Sequence, residues 1–345
     1  MDSIDIYDLL IRGATFGLMA VTSVIFLRSE KEIGTRKLLG IFLFLAAAYP
    51  IVSSPIIWSE LGVEKYWIRV AANLSIIPLW LSLCRLFDDN FTWRLWRFIP
   101  LVGLLAVIIF RAINEQKWGA YANGVQHSIT IIIMGHALWL ILSQKDDDLI
   151  QSRRDSRFTF ALSIITLAIF IALGELTNIL SHTMPSWVSV LHGFVLFFVT
   201  GYFFYRLSNL NDLFERRTLK ASAKIDSQDQ KVFLKRLEGI MAQGIYKEEG
   251  LKVGGLAQRL NMSEHKLRSL INYGLGCKNF PSYLNEIRVK EAMQDLADPE
   301  KGHLQILQIA LDLGYGSIGP FNRAFKAQTG LTPTTFRKNS LSNLS

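Results

Sequence analysis

Seven apolar stretches, each close to the length of a membrane-spanning helix, follow one another through the first 205 residues. A helix needs roughly 20 predominantly apolar residues to cross a bilayer, and short polar breaks separate these stretches. Their succession favours a helical membrane bundle over a large soluble core. The stretches run from Ile4 to Leu27, Leu38 to Ile57, Ile68 to Phe87, Trp93 to Phe110, Tyr121 to Leu142, Phe158 to Leu180 and Trp187 to Tyr205.

A different apolar pattern occurs twice in the last hundred residues. Positions with the i, i+3, i+4, i+7 spacing of one helix face start at Val253 and recur 53 residues later at Ile306. Each face is followed by a residue suited to a left-handed turn, Asn261 or Gly314, and then by a serine placed to cap a second helix. Two helices joined by a tight turn are typical of the helix-turn-helix motif.

A connecting helix is predicted between the two units, from Phe280 to Leu296. Pro281 suits the first turn of this helix, and Pro299 follows its predicted end. Its length of about 24 Å would let the second helices of both units face the same side of a DNA duplex. The predicted fold class is therefore all-α, with about seven membrane spans followed by a tandem helix-turn-helix domain.

Charge divides the chain at the same place as hydrophobicity. The 345 residues carry a formal net charge of +8 and half of them are apolar, which excludes a disordered or fibrous chain. Residues 1–205 contain 16 basic and 15 acidic side chains, whereas residues 206–345 contain 21 and 14. The basic excess of the C-terminal part suits attraction to phosphate. Two cysteines far apart in the sequence suggest neither a disulfide framework nor a metal site.

The distribution of lysine and arginine predicts the orientation in the membrane. With the N-terminus outside, the inner loops hold 11 of these residues and the outer segments hold 4. Basic residues near span ends concentrate on the cytoplasmic side. An odd number of spans then places everything after Tyr205 in the cytoplasm.

Polar and ionisable residues inside the apolar stretches mark a candidate ligand pocket. Such residues are costly in hydrocarbon and are functional candidates for that reason. An alternative interpretation is that Glu175 pairs with Arg12 or Arg69 to hold the bundle together. His127 and His136 lie nine residues apart and point to opposite helix faces, so no metal is predicted. In the predicted topology these residues lie in the outer half of the spans: Arg12, Arg69, Asn73, His127, Glu175, Asn178 and His192.

The C-terminal part resembles the tandem DNA-binding domain of the AraC family (AraC/XylS) of bacterial transcription regulators. Four blocks carry the resemblance, in the family's order: LAQRLNMSEHKLRSLIN, YLNEIRVKEAMQDLADPEK, ILQIALDLGYGSIGPFNRAFKAQTG and LTPTTFRK. The resemblance covers residues 232–340. It implies sequence-specific control of transcription with RNA polymerase as a partner, and a second helix of each unit in successive major grooves. The chain departs from the family at Ile318, Gly319 and Pro320, where polar residues are more usual.

Side chains that face outward from the second helix of each unit are the candidates for DNA contact. Arginine can read guanine and asparagine can read adenine, while lysine more often holds phosphate. In the first unit the second helix supplies Glu264, His265, Lys266, Arg268, Ser269 and Asn272. In the second unit the second helix supplies Ser317, Asn322, Arg323 and Lys326.

We therefore predict a seven-span sensor domain over residues 1–205, a juxtamembrane linker over 206–231 and a DNA-binding domain over 232–340. The protein is expected in the bacterial inner membrane, where its partners would be the bilayer, DNA and a small ligand or membrane protein. A homodimer is left open.

Two other functions compete with this prediction. The membrane part could be a transporter or membrane enzyme with a fused regulatory domain, or a passive anchor. No nucleophile elbow, Walker loop, zinc-protease motif or paired carboxylates occur, so we predict no catalysis and no cofactor. Gly314, Gly316 and Gly319 match a dinucleotide fingerprint, but the helical periodicity before them excludes the strand that this fingerprint requires.

Overall fold

The computed structural model describes residues 2–28, 34–88, 91–143, 147–150, 153–154, 156–163, 165–166, 185–208 and 227–342. The described residues are mostly helical and contain no β-strand, only an isolated antiparallel bridge between Asp148 and Asn279. This confirms the all-α class. The first unit comprises Met1–Lys145 and Asp155–Arg217, and the second comprises Asp146–Arg154 and Thr218–Ser345.

Long apolar helices make up the first unit. Its core contains Met19, Leu43, Leu83, Ile141 and Leu196, all buried. The helices are α1 (Ser3–Arg28), α2 (Thr35–Ala46), α3 (Ala48–Val52), α4 (Pro55–Glu60), α5 (Glu64–Leu74), α6 (Ile76–Phe87), α7 (Ile99–Ser143) and α8 (Ser186–Ser208).

Prolines divide two of the predicted spans into shorter helices. The second stretch breaks at Ala47, three residues before Pro50, and again before Pro55. The third breaks at Ser75, three residues before Pro78. Proline has no N–H to donate and its ring crowds the preceding turn, so it kinks or ends a helix.

Helix α7 includes most of the fourth predicted span and all of the fifth, and its first part lies close to its last part. An added Cβ at Gly103 would lie 3.8 Å from Cδ1 of Ile129, whereas residues 26 positions apart on a straight helix are about 39 Å apart. Arg111 donates a 2.7 Å hydrogen bond to Asn123. Side chains near the two ends of α7 are therefore in contact.

Five of the seven predicted spans coincide with helices long and apolar enough to cross a membrane. The stretch from Trp93 to Phe110 does not reach this length within the described helix, and most of the stretch from Phe158 to Leu180 lies outside the described residues. Seven spans therefore stay a prediction. The five helices are Ser3–Arg28, Thr35–Val52, Glu64–Phe87, Tyr121–Ser143 and Ser186–Tyr205.

The second unit has shorter helices around two apolar clusters. One cluster includes Leu237, Leu256 and Leu267, and the other includes Leu296 and Phe325. The helices are α9 (Ser227–Ala242), α10 (Val253–Arg259), α11 (Glu264–Ser269), α12 (Phe280–Ala297), α13 (Ile306–Asp312), α14 (Ile318–Thr329) and α15 (Pro333–Ser342).

Both predicted helix-turn-helix units are present. In the first, Asn261 has φ +52° in the turn between α10 and α11, and in the second Gly314 has φ +81° between α13 and α14. The side chain of Ser263 caps α11, whereas Ser317 occupies the N-cap position of α14 without a side-chain hydrogen bond. The connecting helix α12 ends one residue beyond its predicted limit.

The second unit includes a short segment that the sequence assigned to the membrane domain. Residues 146–154 lie between the fifth and sixth predicted spans, yet their contacts place them with the helix-turn-helix domain. Leu149 is buried in the same apolar cluster as Leu256 and Leu267. Apolar burial and backbone pairing, which hydropathy does not register, explain this difference.

Replacing Gly314 with alanine is expected to destabilise the second helix-turn-helix unit by about 1–3 kcal/mol. The left-handed backbone disfavours a side chain, and an added Cβ would overlap the carbonyl oxygen of Lys247. Hydrogen exchange in residues 306–329 of the full-length chain should become faster by about tenfold or more. Gly255→Ala is the control, because its added Cβ would meet only Leu251 Cδ1 at 3.9 Å. Equal exchange in both variants would contradict the expectation.

Candidate functional sites

Helix α14 presents a polar outer face in the second helix-turn-helix unit. Phe321 and Phe325 are fully buried and fix the rotation of this helix on the core. The four polar candidates on its other side are all exposed. They are Ser317, Asn322, Arg323 and Lys326.

The three unusual residues at the start of α14 form its first turn. Ile318 is 40% exposed and Pro320 is exposed. Proline fits here because the first backbone N–H groups of a helix have no partner within it. Hydrogen bonds to bases are therefore expected from residues further along the helix.

Helix α11 presents fewer free polar groups than the sequence predicts. Glu264 and His265 are exposed. The ammonium group of Lys266 lies 3.9 Å from the ring centre of Phe233, and the amide of Asn272 donates a 2.8 Å hydrogen bond to the carbonyl of Cys277. Ser269 is half-buried.

Arg268 does not face outward, and its predicted placement was wrong. The residue is 6% exposed. Its guanidinium donates a 3.0 Å hydrogen bond to the carbonyl of Asp148 and a 3.1 Å bond to the carboxylate of Glu264. Residues 147–150 cover a helix face that the motif alone would leave open to solvent.

Buried polar groups connect α12 to its surroundings. Arg288 donates to the carbonyls of Tyr246 and Glu248 at 2.7 and 3.0 Å, and it lies 5.2 Å from the ring centre of Tyr315. Burial lowers the pKa of Arg288 and raises the pKa of Tyr315 to about 12. Tyr315 is therefore neutral and donates to Asn285. These contacts tie the segment before α10 and the turn before α14 to the connecting helix.

The thiol of Cys277 is shielded from reaction. Burial, together with the nearby carboxylate of Glu286, raises its pKa to about 11. A thiol with so high a pKa is protonated at neutral pH and is a weak nucleophile.

Arg12 lies at the centre of a buried polar cluster in the first unit. Both Arg12 and Asp8 are 1% exposed, and Arg12 Nε lies 2.9 Å from each carboxylate oxygen of Asp8. The other two guanidinium nitrogens donate to Pro50 and Ser53 and to both oxygens of Ser189. Arg12 therefore pairs with Asp8, one helical turn earlier. Glu175, the partner that the sequence suggested, lies outside the described residues.

Helix α8 approaches this cluster closely. An added Cβ at Gly193 would lie 2.6 Å from Cγ2 of Ile11. His192, the neighbouring residue, is 6% exposed, and its ring meets that of Tyr49 edge to face at 5.9 Å. Among the described residues, neither ring nitrogen of His192 has a hydrogen-bond partner. This leaves an unpaired polar ring inside a bundle of apolar helices.

The other predicted pocket residues that the structure describes have different contacts. Asn73 donates to Gln126 at 3.3 Å, and Arg69 lies 4.0 Å from the ring centre of Trp58. His127 is exposed. Glu175 and Asn178 lie outside the described residues. Of the predicted pocket residues that the structure describes, Arg12 and His192 are the two that it places together.

Three contributors to these sites were missed at the sequence level. Asp8 is absent from the predicted pocket, although its i, i+4 spacing from Arg12 is a detectable signal. Ser189 and residues 147–150 have no local signal, because only folding brings them to their partners. In the part of the chain that the structure describes, no group of His, Cys, Asp and Glu suited to a metal ion occurs.

Comparisons with known proteins give similarities in the C-terminal part. A family profile described as "Helix-turn-helix domain" matches residues 256–339. A protein of Proteus vulgaris described as "Probable transcription factor PqrA" is 30% identical over 95 residues, which are 28% of this chain and 75% of that protein. No solved structure matches the chain significantly.

Proposed function

The chain belongs to the AraC-type helix-turn-helix family through its C-terminal domain, and we propose that it is a membrane-bound regulator that senses a signal and binds operator DNA. The family match and the transcription-factor relative support a DNA-binding transcription regulator. This family is typically not enzymatic. RNA polymerase is the expected partner at the promoter.

The observation that carries DNA binding is the outer face of α14. Asn322 and Arg323 are exposed beside the buried Phe321, so the packing of the helix directs them away from the core. Asparagine makes bidentate hydrogen bonds to adenine in the major groove, and arginine makes them to guanine. Lys326, one turn later, suits a phosphate.

Membrane insertion is supported by the inverted polarity of the first unit. Large apolar side chains on the candidate spans are more than 60% exposed, among them Leu10, Phe44, Ile131 and Phe198. The charged side chains of Asp8 and Arg12, in contrast, are buried. Exposed apolar surface of this extent is typical of protein that faces lipid. The distribution of basic residues then supports a cytoplasmic DNA-binding domain.

Signal sensing is proposed for the buried polar cluster of α1 and α8. Ionisable groups inside a membrane bundle are costly and mark functional sites by default. Arg12 has its hydrogen-bonding capacity filled by the protein, whereas His192 does not. A ligand that satisfies His192 would favour one packing of these two helices over another.

Genome-wide DNA occupancy of the full-length chain is the test of this function. We expect discrete peaks with a shared motif, and we expect the Asn322→Ala, Arg323→Ala double variant to lose them at equal abundance. Gln328→Ala is the matched control, because Gln328 is exposed on the last turn of the same helix. Discrete peaks that persist in the double variant would count against the proposed reading surface.

A further inference from the structure

A short segment from between two predicted membrane spans is bound to the first helix-turn-helix unit. The N–H of Leu149 donates to the carbonyl of Lys278 at 3.2 Å, and the N–H of Phe280 donates to the carbonyl of Asp147 at 2.9 Å. These two bonds flank the bridge between Asp148 and Asn279. We refer to residues 147–150 as the docking segment.

The docking segment has features of a specific contact. Leu149 is 4% exposed in the apolar cluster of the first helix-turn-helix unit. Asp148 is 1% exposed, and its carboxylate accepts hydrogen bonds from the N–H of Ile150 and from Arg153 Nε at 3.1 and 2.6 Å. The segment thus combines backbone pairing, an apolar anchor and an internal ion pair, which give it a defined conformation.

The docking segment engages Arg268, the residue of α11 best suited to reading guanine. The carbonyl of Asp148 accepts a hydrogen bond from Arg268, whose guanidinium is thereby held in the interior. Among the described residues, Arg268 Nε is buried without a hydrogen-bond partner. A buried guanidinium with an unpaired donor is costly, so the burial of Arg268 Nε lowers the stability of the docked state.

We propose that the docking segment is an intramolecular latch that withholds Arg268 from DNA and is released when the membrane helices change their packing. Only three residues separate Ser143, the end of α7, from Asp147, and the described chain is helical again at residues 153–154. Movement of these helices is therefore transmitted to the segment through a short covalent connection. Release removes one acceptor of Arg268 and opens the α11 surface to a duplex.

This inference rests on the proposed DNA-binding function and adds its regulation. Binding to DNA requires the released state, so the apparent affinity falls with the fraction of chains that are docked. The signal site and the latch are separate elements. The latch is tested directly by fixing or weakening the docked state, without knowledge of the signal.

A disulfide between positions 148 and 279 would lock the docked state. The flanking hydrogen bonds make Asp148 and Asn279 a non-hydrogen-bonded antiparallel pair, whose Cα atoms lie about 4.5 Å apart, within the range that a disulfide tolerates. Asp148→Cys and Asn279→Cys are introduced into a full-length Cys84→Ala, Cys277→Ala chain. The background chain, treated with the same oxidant, is the control.

Retention of randomised DNA duplexes by the purified chain in detergent, followed by sequencing, measures the effect. We expect the oxidised chain to retain the enriched sequences at least about tenfold less than the same chain after reduction. Leu149→Asp should retain more than wild type, because it places a charge in the apolar cluster that holds the segment. Leu149→Met keeps the apolar anchor and should behave as wild type.

The outcomes separate the latch from the DNA-binding proposal. Enrichment of one motif by the oxidised and reduced chains alike would overturn the latch and make the segment a permanent part of the domain. Loss of binding in Leu149→Asp, with no difference between the oxidised and reduced chains, would lead to the same conclusion. No enriched motif with any variant, Leu149→Asp included, would overturn DNA binding itself.

Discussion

Replacing Arg323 with alanine is expected to weaken binding to an operator by about 1–3 kcal/mol, which is about 5- to 150-fold in Kd. The substitution removes the bidentate hydrogen bonds that Arg323 is expected to make to a guanine. Arg323 is exposed next to the buried Phe321, so its side chain is directed away from the core. Discrimination at one base pair should be lost together with affinity. Titration of the full-length chain with the operator and its single-base variants measures both effects.

Lys326→Ala provides the contrast to Arg323→Ala. A lysine that holds phosphate supports all sequences equally, so its loss should weaken binding without changing base preference. The slope of log affinity against log salt should also become shallower by about 1. If Arg323→Ala weakened all duplexes equally, Arg323 would be a phosphate contact and the assignment of base reading to it would be wrong.

Replacing Asp8 with alanine is expected to lower the free energy of unfolding of the first unit by about 3–5 kcal/mol. Arg12 would remain in the interior, with no carboxylate against its Nε. An uncompensated buried charge costs more than the pair itself contributes. The temperature at which half of the detergent-solubilised chain remains monodisperse should fall accordingly.

The double variant Asp8→Ala, Arg12→Met should recover most of this loss. It removes both charges and keeps an apolar side chain of similar length, which is often neutral relative to a buried ion pair. Asp5→Ala is the control, because Asp5 lies on the same helix and is less deeply buried. A double variant as unstable as Asp8→Ala would indicate that the contacts of Arg12 with Pro50 and Ser189, more than its charge, hold the bundle together.

A candidate site could be predicted from the sequence where contacts between neighbouring residues determine it. The outer face of α14 was predictable because helical periodicity assigns Phe321 and Phe325 to the core and thus Asn322 and Arg323 to the surface. The same reasoning failed for Arg268. Its face of α11 is covered by residues more than a hundred positions earlier in the chain, and no local period records such a contact.

The membrane pocket shows the same limit. Hydropathy identified Arg12 and His192 as polar residues within apolar stretches. The structure places Arg12 on α1 and His192 on α8, where these two helices meet. Hydropathy could not choose the partner of Arg12, because Coulomb attraction depends on distance in space and not on distance along the chain. Asp8, one helical turn away, is the carboxylate that folding places beside it.

The sequence alone determined the helical class, five of the candidate spans, both helix-turn-helix units and the left-handed turns at Asn261 and Gly314. These features follow from interactions between residues a few positions apart: helical periodicity, capping and the conformational freedom of single residues. Only the tertiary structure decided that Arg12 pairs with Asp8, that Arg268 is buried and that residues 147–150 belong to the second unit. Each of these depends on which surfaces meet when the chain folds, since burial and hydrogen bonding are satisfied between segments that the local pattern does not connect.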